Sequence, residues 1–300
     1  MNWLDQPRTL ALTGTALPQW LDAPLLVVSR VAGKEELGKL YEYDIEASTL
    51  DDARLPLYAA QALVDLDKIV GTEVTLSIAI EGNGTWVQGA TGTSGALGAL
   101  GRNIGADIRQ ITGVIAQAQA VGADDRRAFY RFKLRPALWT GTLNRDSRTY
   151  QNQDIKQISA EILNRLGVAF EFRLAGPFLG KRGYPAREYQ RQWWESDYDF
   201  LDRLWQEWGI TYFVDGATLV LCDSPGAFKA HGPAYQTLRY LDRGGQRIDE
   251  EHIHAFNVTR SITTGKVAVV DYDYTQSVVK LKAQRTEHSE RAFDNAEEYA

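Results

Sequence analysis

The sequence predicts an α+β fold, organised as two domains or one elongated pair of barrels. Three observations lead there. A chain of 300 residues exceeds what one hydrophobic core usually serves. Its first 140 or so residues read mainly as strands punctuated by Gly, Asp and Pro. Its second half alternates helices with strands, twice in the order helix, glycine, strand.

In chain order, Leu25–Val31 and Leu40–Ala47 are the first strand candidates. Pro56–Val64 suits a short helix with Leu57, Ala60 and Val64 on one side. Strands are expected again at Val74–Ile80, Ile108–Ala116 and Phe129–Leu134. Between Glu81 and Gly105 lies a stretch rich in Gly, Ala and Thr, read as a surface loop. Its Gly95, Gly98 and Gly101 match neither a dinucleotide fingerprint nor a P-loop. Ser94 does not form a nucleophile elbow, because Ala96 stands where that turn needs glycine.

Helix Asp154–Leu166 gathers Ile155, Ile158, Ile162, Leu163 and Leu166 on one face, followed by Gly167 and a strand at Val168–Phe172. The most informative segment is ESDYDFLDRLWQEWGITYF, Glu195 to Phe213. Ser196 is a candidate N-cap, with Asp199 placed as its capping-box-like partner. Asp197 and Asp199 set negative charge at the positive helix end. Phe200, Leu201, Leu204, Trp205 and Trp208 form the apolar stripe, and Gly209 ends it in a left-handed cap. A strand from Ile210 to Val214, a turn at Asp215-Gly216 and a second strand at Thr218–Leu221 make a hairpin. The two helix-to-strand units read either as a repeated module or as two similar turns, and two copies favour the second. A last strand is expected at Lys266–Asp273.

Composition narrows the function. Hydrophobic content of 44% and charged content of 24% are those of a folded globular chain. Eight Trp and fourteen Tyr favour sheet-rich packing and interfaces. A net charge of -6 argues against a general nucleic-acid binder, whose affinity rests on excess Lys and Arg. The single Cys222 excludes an internal disulfide. The N-terminal residues have no basic segment followed by an apolar run, and no stretch approaches a membrane span, so any export is expected to bypass a cleaved signal.

Candidate chemistry is sparse. Glu195, Asp197, Asp199 and Asp202 would supply paired carboxylates for glycoside hydrolysis, but helix capping and the macrodipole already account for charges in a first turn. His252 and His254 would share one face of a strand and reach a metal together, with His231, Asp249, Glu250 or Glu251 as further ligands. A hydrogen-bonded strand end is the simpler reading. No nucleophile, general base, metal ligand or cofactor is assigned.

The Glu195–Phe213 segment, with Thr218–Phe228 after it, is similar to the hallmark segment of the Vgr proteins of the type VI secretion system. Upstream, Phe129–Leu163 carries the same family's order of strand, Arg-Pro, Leu-Trp, Ser-Arg and helix. Gly33, Glu35-Glu36, LYEYDIEAST and VGTEVTLSI resemble its opening strands. The resemblance covers nearly the whole chain and makes Ser196, Asp197, Asp199, Phe200, Leu204, Trp205 and Gly209 a structural signature rather than an active site.

The resemblance implies two related β-barrel domains with a few packed helices, as in a phage tail hub, residues 1–145 and 146–300, with interlocking of the two left open. Residues 81–105 then form an insertion in the first. In complete Vgr proteins an oligonucleotide-binding-type barrel and a β-helix spike come next; neither is present in this sequence, so piercing and C-terminal effector activity are not credited to it. A non-enzymatic hub is implied. It would assemble in the cytoplasm as a homotrimer that caps a hexameric inner-tube protein, touches baseplate components, carries an effector or adaptor, and leaves with the machine. The tail hub of a contractile phage is the near alternative, and a cell-wall hydrolase or glycan-binding module the distant one.

Overall fold

A computed structural model describes residues 10–80, 107–176, 183–229, 238–240, 252–259, 265–271, 281–286 and 297–299. The chain divides into a larger unit whose described residues end at Leu238 and a smaller one whose described residues lie between Arg239 and Tyr299.

The larger unit begins with β1 (Leu10–Thr13), a tight hairpin of β2 (Gln19–Trp20) and β3 (Ala23–Pro24), then β4 (Leu26–Lys34) and β5 (Glu42–Thr49). Two short helices follow, α1 (Leu57–Leu63) and α2 (Leu66–Ile69), then β6 (Glu73–Ile80), β7 (Asp107–Ala123) and β8 (Ala128–Arg135). Strand β5 shows how sequence sets the sheet: Tyr43, Ile45 and Ala47 are buried, while Glu42, Asp44 and Glu46 alternate with them on the wetter face. On that face Glu42 pairs with Lys133 and Arg135, and Glu46 lies 3.2 Å from Arg131.

All neighbours in the six-stranded order β1-β6-β7-β8-β5-β4 are antiparallel. The two edge strands β1 and β4 approach each other, so the sheet is a nearly closed barrel. Register shifts between Val28 and Arg30, Ile115 and Gln117, and Ala120 and Gly122 are bulges that bend these strands round. Ile45, Leu76, Ile115, Phe132 and Leu134 fill the interior, and α1 and α2 contribute Ala60 and Ile69. Gly33 on β4 sits opposite Tyr43, and a Cβ there would lie only 2.0 Å from the nearest carbon of the tyrosine ring. That contact, not a turn, is what requires glycine.

After a 3-10 turn at Ala137–Thr142 come β9 (Asp146–Tyr150), α3 (Ile155–Arg165), β10 (Phe170–Arg173), β11 (Gln190–Glu195), α4 (Asp197–Glu207), β12 (Thr211–Asp215) and β13 (Thr218–Cys222). Helix α3 starts in a full capping box between Asp154 and Gln157. A second core gathers Ile158, Ile162, Leu163, Phe200, Leu204 and Trp205. Strands β10, β13 and β12 form one sheet, with β10 parallel and β12 antiparallel to β13. The two helix-to-strand units thus enter the shared sheet in opposite directions, which fits two similar turns better than one module paired in the same way twice.

The two cores touch. Val214 packs against both, Leu40 of the first half packs against the second core, and the Gly38 amide donates to the Tyr212 carbonyl at 2.9 Å.

In the smaller unit, β14 (Arg239–Tyr240) and β15 (His252–Ile253) pair in parallel. Strand β16 (Lys266–Asp271) lies between antiparallel β17 (Leu281–Thr286) and parallel β18 (Glu297–Tyr299).

Some expectations change. Strand β7 continues to Ala123 rather than stopping at Ala116, carried past the expected end by its two bulges. Strands β9 and β11 were not expected, and β10 begins at Phe170 rather than Val168. The Glu81–Gly105 stretch, including Ser94, lies outside the described residues, as do Tyr272 and Asp273 of the last expected strand.

Candidate functional site

The signature helix is built from its first turn inward. Ser196 is the N-cap, with extended backbone, and its Oγ accepts from the Asp199 amide at 3.0 Å. The Asp199 carboxylate does not reach back to the Ser196 amide; it accepts from the Ser196 hydroxyl at 2.7 Å. The expected capping-box-like pair is therefore a hydroxyl–carboxylate pair. At the other end Gly209 has φ 66°, the left-handed conformation that lets the chain turn directly into β12, and Gly167 repeats it at 69° after α3.

Asp197 is the unexpected residue. A first-turn aspartate should face solvent, yet this one is fully buried. Arg165, at the end of α3, donates to Oδ1 at 2.8 Å and Gln192 of β11 donates to the same oxygen at 3.0 Å. Asn144 donates to Oδ2 at 2.6 Å and accepts from the Asp197 amide at 3.2 Å. Burial alone would push this carboxyl up, but the hydrogen bonds from Arg165, Asn144 and Gln192 outweigh it and hold the pKa below the ordinary carboxylate value. One anion thus ties together α3, α4, β11 and the loop before β9. Asp202, by contrast, is pushed up by its burial, with the Asp199 charge adding to the effect.

The apolar stripe faces inward as the periodicity requires. Phe200, Leu201, Leu204 and Trp205 are buried. Phe200 stacks on Tyr150 with ring centroids 5.5 Å apart, and the Trp205 indole nitrogen donates to the buried Ser159 hydroxyl at 2.9 Å. Tyr198 and Tyr212 join through their hydroxyls at 3.0 Å. Beyond the hairpin, Asp223 accepts from the amides of Ala175 and Gly176 and from the Tyr184 hydroxyl, within 2.8 to 2.9 Å.

The four carboxylates weighed for hydrolysis are engaged in these contacts: Asp197 is inaccessible, Asp199 binds Ser196, Glu195 lies 2.6 Å from Arg203, and Asp202 accepts from Gln206. Such an arrangement can fix helices against each other; a sealed carboxylate cannot reach a substrate. His252 and His254 lie with ring centroids 6.3 Å apart, while His231, Asp249, Glu250 and Glu251 fall outside the described residues. Among the described residues no group of three or more His, Cys, Asp or Glu is set to hold a metal, and no helix is long and apolar enough to cross a membrane.

A nearly closed antiparallel barrel joined to a helix-covered sheet, with its signature side chains engaged in internal contacts, is the architecture of the tail-hub class. Residues 34–300 match the phage tail baseplate hub (GPD) family, and the chain belongs to it. It is 26% identical over 274 residues to the type VI secretion system spike protein VgrG1c of Pseudomonas aeruginosa, covering 88% of this chain and 32% of that protein. The chain therefore spans about a third of such a relative. In fold it is similar to the E. coli c3393 protein, a component of the type VI secretion system, with a TM-score of 0.50 and 22% identity over 74% of this chain and 50% of that one. A tail protein from Neisseria meningitidis aligns over 98% of this chain and 71% of its own, at a TM-score of 0.53 and 9% identity.

Proposed function

We propose that this chain is the hub of a type VI secretion spike. Three copies close into a ring, each presenting two related barrel domains, residues 1–145 and 146–300, so that six barrels meet a hexameric inner-tube ring. The hub caps that tube, contacts baseplate components, and carries the spike and its effectors or adaptor when the sheath contracts. It assembles in the cytoplasm and leaves through the machine. The observation that carries this reading is the VgrG1c likeness along 88% of the chain. The Gly38–Tyr212 bond and the sharing of Val214 between the two cores support interlocked domains. The Ser196–Gly209 signature acts as an internal brace, supported by the Asp197 network, and its role needs no chemistry.

The same surface would serve the tail hub of a contractile phage, a reading favoured by the family's own description as a baseplate hub. Deleting this region in the native spike gene and measuring inner-tube and spike export tests the first reading. Lost export is expected; unchanged export overturns it.

A further inference from the structure

Strand β11 inverts the usual rule. Its inward residues are Gln190 and Gln192, both buried, and its outward ones are Arg191, Trp193 and Trp194. Trp193 is 57% and Trp194 65% exposed, and they are the only exposed tryptophans among the described residues. Trp194 is the extra residue of a bulge and has φ 51°, a conformation that costs energy for any residue but glycine. The Arg191 guanidinium lies over the Trp193 ring at 3.7 Å, and Tyr189 is exposed just before. A strained bulge that holds two large aromatic rings in water, on a strand whose inward side chains are the buried Gln190 and Gln192, has the chemistry of an interaction surface.

The occupant follows from charge and symmetry. A ring of identical copies needs a head-to-tail contact between two different surfaces. The Trp face carries more cations than anions: Arg191 on Trp193, exposed Arg145 next to β9, the strand that pairs with β11, and Arg148 on β9 paired with Asp146, against exposed Glu188. A second exposed apolar surface has the opposite character. Tyr58, Leu63 and Val70 on and beside α1 and α2 are exposed, with Asp65, Asp67 and Glu73 exposed among them against the single cation Lys68, which Asp65 pairs.

We propose that the Trp193–Trp194 face of one copy docks on the Tyr58–Val70 surface of the next, forming the contact that closes the ring. This rests on the trimer reading above and adds the surfaces that make it.

Native mass spectrometry of the 300-residue chain across a concentration series, with thermal melts of each variant, tests it. The parent should be trimeric. Trp193→Ser with Trp194→Ser should be monomeric at the same concentrations while still unfolding in one cooperative transition, its midpoint lowered only by the lost association. Arg191→Glu or Asp67→Arg alone should raise the dissociation midpoint about tenfold, and the double variant should recover to within about threefold of the parent. A Trp variant that stays trimeric overturns the inference and leaves the trimer reading standing. Dissociation without charge-swap recovery overturns the Tyr58–Val70 assignment, and a parent that is monomeric throughout overturns both. Retention of the parent but not the Trp variant on peptidoglycan, with the trimer unchanged, overturns the inference in favour of a glycan.

Discussion

Arg165 and Asp197 are 32 residues apart in sequence, yet the guanidinium donates to the buried carboxylate at 2.8 Å. The arginine ends one helix and the aspartate begins another, so a single ion pair fixes how α3 and α4 meet.

Removing one partner should be severe. Asp197→Ala removes the acceptor that Arg165, Asn144 and Gln192 share and leaves the Arg165 charge uncompensated, at an expected cost of about 3–5 kcal/mol. Asp197→Asn keeps the shape and loses only the charge, so it should cost less. Urea unfolding of both, with Arg165→Met in a double-mutant cycle, would show strong coupling between 165 and 197; additive effects would mean that the pair does not hold the helices.

The same carboxylate gives a signed pH dependence. Its folded pKa lies below the ordinary value of 3.8, so the unfolded chain binds the proton first as pH falls. The stability it adds is complete above the unfolded pKa and is lost as pH drops through the lowered folded one. The stability difference between parent and Asp197→Asn should hold steady from about pH 7 to 5 and shrink below about pH 4. A difference that grew on acidification would contradict the assignment.

In the second core, Trp205→Ala should cost about 3–5 kcal/mol through the void it leaves. Ser159→Ala removes little volume but strands the buried indole N–H, at about 1–3 kcal/mol. Because the two share one hydrogen bond, the double variant should be less damaging than the sum, as read from chemical denaturation.

In the first barrel, Gly33→Ala drives a methyl group into the Tyr43 ring and should cost about 1–3 kcal/mol by overpacking. Trp194→Gly should do the opposite in thermal melts run dilute enough for parent and variant both to be monomeric, relieving the φ of 51° and raising or preserving the midpoint.

What the sequence made legible was local. Ser196, the Phe200–Trp205 stripe and Gly209 mark one helix because capping, periodicity and the left-handed exit act within a few residues. Strand β11 escaped notice for a physical reason: it buries Gln190 and Gln192 and exposes its tryptophans, so a pattern search reads it inside out. Asp197 looked like a macrodipole charge because Asn144, Arg165 and Gln192 reach it from three other places in the chain. Asp199 was expected to complete a capping box, yet its side chain takes the Ser196 hydroxyl, a choice of geometry that residue identity leaves open.

The Gly38–Tyr212 bond also bears on how the chain is made. At a synthesis rate of about 5–20 residues per second, the partner of Gly38 leaves the ribosome roughly 9–35 s after it. Until then the first barrel lacks Val214 at its boundary and has no acceptor for that amide. Nascent chains arrested before Tyr212 should therefore present a sticky, incomplete intermediate to chaperones, and release of that hold should coincide with emergence of the β12–β13 hairpin.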